Sequence, residues 1–146
     1  QRESWEALHD AIEEAVMKVD ESNVQDLLPA FFQCNLVRGR GLLAMEIIRA
    51  VRVDFKKARV LAAVINVVDT KLPETGELLV KRVIADFRGG HRRGERSRMR
   101  NSCALMAQLC NVGVVHELLA LQVRLSLTPT PTPTLTLTLT LTLTLT

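Results

Sequence analysis

Three histidines (His9, His91, His116) and three cysteines (Cys34, Cys103, Cys110) are the side chains best suited to nucleophilic or metal chemistry. A nucleophile needs a base within hydrogen-bond reach, and the base needs a group to orient it. The histidines fall on three separate segments, so the pattern assembles no such relay. His116-Glu117 is half of a zinc His-Glu-x-x-His signature, but Ala120 stands where the second histidine belongs. Cys103 and Cys110 lie seven residues apart, on one helical face, which suits core thiols better than ligands. The glycines of Arg38-Gly39-Arg40-Gly41 match neither a phosphate-cradling loop nor a dinucleotide fingerprint, and no strand pattern precedes them. The expectation is a protein that is not an enzyme and needs no metal or cofactor.

Arginine offers a different chemistry. Arg88, Arg92, Arg93, Arg96, Arg98 and Arg100, with His91, fall within thirteen residues. Such a segment can neutralise phosphates in a salt-dependent, sequence-blind way, with Arg92 and Arg93 as its expected contacts. It can equally be a loop made soluble by charge, partly offset by Asp86 and Glu95. Arg38 and Arg40 can likewise touch phosphate, or bridge adjacent helices through carbonyls and carboxylates. Sequence-specific RNA reading ranks behind these, because aromatics are only 3% of the chain and Tyr is absent.

The charge is unevenly spread. Residues 1–37 hold two basic and eight acidic groups, and residues 38–100 hold sixteen basic and seven acidic. That asymmetry can steer an oppositely patterned partner or satisfy itself within the fold. The composition is globular, 47% hydrophobic and 24% charged, and the 146 residues suit one domain. Residues 128–146 are only Thr, Pro and Leu, so the foldable part is 1–127. A domain of that size buries roughly two-thirds of its unfolded surface. The cysteines have no paired spacing, which fits a reducing compartment. No apolar run reaches the roughly 18 residues a membrane span needs. The opening residues lack a secretory signal, and the missing initiator Met points to a fragment.

The elements that must position these side chains read as helices. Trp5, Leu8, Ile12, Ala15, Val16 and Val19 recur at three- and four-residue steps, with Ser4 as the N-cap. Ser22 to Gln25 has capping-box spacing ahead of a second stripe, Val24, Leu27, Leu28 and Phe31, interrupted by Pro29. Asn35 is set to cap a third helix through Val51, and Asp54 a fourth through Val68. Pro73 opens a fifth, expected to end at Gly89-Gly90; a sixth runs from about Met99 to Asn111, stopped by Gly113. A seventh starts near Val114. Helices then come in pairs, 4–33, 37–68 and 74–111, and the pattern predicts an all-α solenoid of stacked antiparallel pairs. A compact bundle is the alternative; a solenoid differs from it in contacting only neighbouring pairs. The tail, 128–146, is expected to be disordered or aggregating, a simple repeat read through as protein.

Several strings together resemble a known family. They are Ser4-Trp-Glu-Ala-Leu8, Asn35-Leu-Val-Arg-Gly-Arg-Gly-Leu-Leu43, Lys71-Leu-Pro73 with Gly76-Glu-Leu-Leu-Val-Lys-Arg82, Phe87-Arg88, Arg92-Arg93 and Val114-Val-His-Glu-Leu-Leu-Ala-Leu121. They resemble the middle domain of initiation factor 4G in the version carried by the nucampholin family of pre-mRNA splicing factors. The resemblance runs over nearly all of residues 2–125. It implies a right-handed solenoid of HEAT-like repeats, C-terminally truncated, with residues 1–127 a partial middle domain. It also implies a nuclear splicing adaptor that grips a DEAD-box RNA helicase of the initiation factor 4A type, works among other spliceosome proteins and supports exon junction complex assembly. Helicase contact in the family falls on Ile-Asn-Gly-Leu-Ile-Asn-Lys-Val-Asn. Here Ile12, Lys18 and Val19 match that string, and Lys18 is the expected helicase contact. Glu14 stands in place of its Gly and Met17 in place of an Asn. The shortened array is expected to leave Val115, Leu118, Leu119, Val123 and Leu127 uncovered, giving a marginal or associating fragment. A general RNA-binding repeat module and an inactive truncated fragment stay open as alternatives.

Overall fold

In the computed structural model, which describes residues 2–116 and residue 118, each of the first six apolar stripes becomes a helix. The order is α1 (Arg2–Lys18), α2 (Val24–Gln33), α3 (Leu36–Val53), a 3-10 turn (Phe55–Lys57), α4 (Ala58–Asp69), α5 (Pro73–Arg93) and α6 (Arg96–Asn111). No strand occurs among the described residues. The seventh helix, its apolar face beyond Val115 and the 128–146 tail lie outside them, although Val114 and Val115 are placed in a bend after α6. All six helices belong to one compact unit, Gln1–Val115. Among the described residues no helix is long and apolar enough to cross a membrane.

The helices stack in two rows. α1 packs on α3 and α3 on α5, while α2 packs on α4 and α4 on α6. Every substantial contact joins helices of one pair or of neighbouring pairs, as a HEAT-like array requires and a bundle does not. The core is a continuous apolar layer from Ile12, Val16 and Val19 through Leu43, Ile47 and Val51 to Leu61, Ile65 and Val68. Leu79, Val83, Phe87, Leu105 and Leu109 extend it. Each such side chain contributes about 1.5–3 kcal/mol by leaving water. α2 is the weak member, burying only Phe31 completely. It runs through Pro29, whose missing N–H removes one intrahelical bond.

Cross-pair bonds fix direction. Arg49 Nη1 reaches Glu13 at 2.9 Å and Lys57 Nζ donates to the Met17 carbonyl at 2.6 Å, so the C-terminal halves of α1 and α3 lie together. Arg40 pairs with Glu74 near the starts of α3 and α5, and Arg52 with Asp86 further along both. The helices α1, α3 and α5 therefore run parallel. Turns within pairs line one edge of the stack, and connections between pairs line the other.

Several boundaries differ from the sequence reading. α1 begins before Ser4, which sits inside its first turn. Asn23, not Ser22, borders α2; its Oδ1 accepts from the Asp20 amide at 2.6 Å and its Nδ2 donates to the Lys18 carbonyl at 2.9 Å. Asp54 caps the 3-10 turn ahead of α4, accepting from the Lys56 amide at 3.0 Å. Asn35 caps α3 as expected, accepting from the Arg38 amide at 3.2 Å. The largest difference is α5, which passes through Gly89-Gly90 and stops at Gly94, φ 69°. Both residues of the glycine pair are buried, and a Cβ at Gly90 would lie 3.3 Å from Arg98 Cγ and Met99 Cγ. The pair lets α6 approach; it does not end the helix. Gly94 donates to the His91 carbonyl and Glu95 to the Gly90 carbonyl, the paired bonds of a left-handed helix terminus. Gly113, φ 81°, closes α6 the same way.

Candidate functional site

Lys18 ends α1 on the edge formed by the turns within pairs, and it is held by Glu14 one helical turn back. That bond, with the ammonium charge behind it, keeps the exposed Glu14 carboxyl below its ordinary range. On the same edge the side chains of Met17, at the end of α1, Val53, at the end of α3, and Phe55, in the 3-10 turn, stand exposed, at 44%, 74% and 52%. Arg92 and Arg93 end α5 on the same edge. Arg93 Nε lies 3.7 Å from Glu95, while Arg92 has no ion pair among the described residues.

Arg38 and Arg40 sit at the opposite edge, in the first turns of α3. With α5 about 30 Å long, the four expected phosphate contacts form two separate groups. The Arg38 guanidinium stands over the half-exposed Trp5 ring, 5.8 Å from its centroid, a modest cation–π contact. Arg40 pairs with Glu74 of the next repeat. The intervening glycines serve packing: a Cβ at Gly39 would sit 2.7 Å from Ile12 Cδ1, and the Gly41 carbonyl accepts from Arg82 of α5. Of the two readings of Arg38-Gly-Arg40-Gly41, bridging between repeats is therefore realised for Arg40.

The arginine-rich segment also divides. Arg98 turns inward: its Nε donates to Asp86 Oδ1 at 2.7 Å, and its Nη1 reaches Glu95 at 3.3 Å. Asp86 is 6% exposed and also accepts from Arg52 and, at 2.7 Å, from the buried Ser102 hydroxyl. Burial pushes its carboxyl upward, but the bonds from Arg98, Arg52 and Ser102 outweigh this and hold it below its ordinary value. One carboxylate thus ties α3, α5 and α6. The expected offset of the arginine segment by Asp86 and Glu95 is realised, and what the pattern did not give is the reach to Arg52 and Ser102, although Asp86 shares a helical stripe with Leu79 and Val83, where a charge demands partners. Arg88, Arg92, Arg96 and Arg100 have no ion pair among the described residues.

His9 and the cysteines have structural surroundings. His9 Nε2 lies 3.5 Å from the buried Glu46, and its Nδ1 lies 3.5 Å from Asp10 and 4.0 Å from Glu13. Arg49 engages both Glu46 and Glu13, so this group is an ion-pair lattice joining α1 to α3. Burial raises the thiols of Cys34 and Cys103 above their ordinary value, which suppresses the reactive thiolate. The Ser102–Asp86 contact, hydroxyl to carboxylate, is buried, and that carboxylate is held by Arg52 and Arg98.

Parallel helix rows with charged edges, their side chains engaged with one another across neighbouring pairs, define a helical-repeat scaffold. No family model matches the chain. It is homologous to one segment of the CWC22 pre-mRNA-splicing factors. It is 42% identical over 125 residues to pre-mRNA-splicing factor cwc22 of Emericella nidulans, covering 86% of this chain. Against the CWC22 homolog of Xenopus laevis it is 41% identical over 123 residues, and against cwf22 of Schizosaccharomyces pombe 37% over 123, each covering 84% of the chain. The chain spans only 14–15% of the length of these relatives.

Proposed function

We propose that this chain is a partial middle domain of initiation factor 4G type, acting as a splicing adaptor in the nucleus. Its edge of turns within pairs docks a DEAD-box helicase of the initiation factor 4A type, among other spliceosome proteins, and so supports exon junction complex assembly. The supporting observation is identity of about two residues in five to CWC22 splicing factors across most of the chain. The edge that carries Lys18 fits the role: a cation on the edge that also exposes Met17, Val53 and Phe55 combines electrostatic orientation with apolar anchors. A rigid stack that binds two lobes of a mobile ATPase at one separation shifts its populations without any bond-making. Capture of purified helicase by the full chain, lost in Lys18→Glu, is the expected result. Absence of capture, or equal capture by the variant, refutes it.

A second reading is direct RNA binding, favoured by the exposed Arg92 and the absence of an ion pair on it among the described residues. Arg92 and Arg93 would act on one edge, and Arg38 and Arg40, more weakly, on the other. Affinity for unrelated RNAs should fall with salt, and Arg92→Ala should lower the log–log slope by about 0.7. Salt-independent binding refutes this reading.

A further inference from the structure

Between α3 and α5 runs a hollow of about 450 Å³ with an aliphatic floor of Met45, Ile48 and Ala85, walled by Arg49, Arg52 and Arg82. Arg52 and Arg98 also border a second hollow of about 610 Å³ at the start of α6, lined further by Arg96 and Asn101. The carboxylates at their base are already engaged: Glu46 by His9 and Arg49, Asp86 by Arg52, Arg98 and Ser102, and Glu95 by Arg93 and Arg98. Each guanidinium carries five N–H donors and spends only some on these partners, so donors remain along the rim. Met45 is 50% exposed, one turn from the half-buried Ile48 and the exposed Arg49, a polarisable and adaptable contact.

We infer that the α3–α5 groove is a docking site for an acidic peptide segment carrying an aliphatic anchor, the anchor seated on Met45, Ile48 and Ala85 and its carboxylates on Arg49, Arg52 and Arg82. The inference goes beyond helicase docking and does not depend on it. Charge complementarity selects an anion, and the aliphatic floor selects a peptide over RNA. None of the chain's Phe or Trp residues lines either hollow, so a base would find only guanidinium planes to stack on, and phosphate contact alone leaves the aliphatic floor uncovered. From Met45 to Arg52 the groove follows α3 for about 10 Å, the reach of two helical turns.

The test uses the full chain and a fluorescein-labelled amphipathic helical peptide about three turns long, with leucines on one face flanked by glutamates. Binding followed by anisotropy should weaken with salt and be absent for the same peptide with lysine in place of glutamate. Met45→Glu and Ala85→Glu, each at an exposed position on a different helix, should weaken binding about tenfold with unchanged helicity and melting temperature. Equal binding of acidic and lysine peptides overturns the inference, as does unchanged affinity in both variants. Tighter binding of oligouridine that both variants abolish also overturns it, because the groove would then be a nucleic-acid surface. Helicase capture is read separately through Lys18, so the two proposals fail independently.

Discussion

Replacing Asp86 by Ala tests whether one carboxylate holds the second repeat to the third. The substitution strips the Ser102 hydroxyl, itself only 5% exposed, of its acceptor, at about 1–3 kcal/mol. It leaves the Arg98 guanidinium, 22% exposed, with Glu95 as its remaining partner. Arg52 is 45% exposed and rehydrates, so its share is below about 1 kcal/mol. The expected loss is about 3 kcal/mol, the lower end of the range for breaking a buried ion pair. In urea unfolding followed by circular dichroism, a slope of about 1.5 kcal/mol/M converts this to a midpoint lowered by about 2 M. Asp86→Asn, which still offers Ser102 an oxygen, should lose about half as much. The sign with pH follows from the depressed carboxyl. Its contribution is complete above the ordinary value of 3.8 and is lost as pH falls through the lower folded value. Stability of the parent should therefore fall more steeply than that of Asp86→Asn between about pH 5 and pH 2. A loss under about 1 kcal/mol for Asp86→Ala, or an equal loss for Arg52→Ala, would refute the hub.

Glu14→Ala releases Lys18 from its intrahelical partner and should strengthen helicase capture, measured against the parent at equal helicity. Gly76→Ala drives a methyl into the Asp69 carboxylate and to 3.2 Å from Val114 Cγ1, and should cost about 1–3 kcal/mol in urea unfolding. At Gly94 the surroundings are open, so Gly94→Ala should cost only the backbone strain of its φ of 69°, about 1 kcal/mol. Because burial raises the thiols of Cys34 and Cys103, alkylation of both should be slower at neutral pH than that of a free cysteine, and its rise with pH should level off only above their ordinary value of 9.0.

Periodicity made the helices legible, because three- and four-residue apolar steps from Ile12 to Val19 or Leu79 to Phe87 admit no other regular burial. Local capping was legible where the side chain had no better offer, as at Asn35. It misled at Ser22, because the neighbouring Asn23 side chain captures the turn, and at Gly89-Gly90, because the same residue type serves both close approach and termination. Which role a glycine takes is decided by the neighbouring helix, here by Arg98 and Met99, and that neighbour is known only once the pairs are stacked. The separation of Arg38 and Arg40 from Arg92 and Arg93 has the same origin, since it follows from α3 and α5 running parallel. Lys18 is singled out by family resemblance alone, not by its own surroundings.

The charge asymmetry of the sequence now has a physical account. Arg49 to Glu13 spans 36 residues, while Arg40 to Glu74 and Arg52 to Asp86 each span 34. Each separation is one helix pair, so basic residues of the second repeat meet acidic residues of the first and third at a fixed register. An apolar seam alone tolerates sliding of one helix past another by a turn, because Leu, Ile and Val exchange places at small cost. A slip of one turn would instead move Arg52 off Asp86 and leave a buried carboxylate unpaired, which is far more costly. Arg49 to Glu13 joins the acidic first quarter to the basic middle, the other two pairs lie within the middle, and together they act as a register key between repeats. Among the described residues Arg88, Arg92, Arg96 and Arg100, around the turn from α5 to α6, stay outside this key.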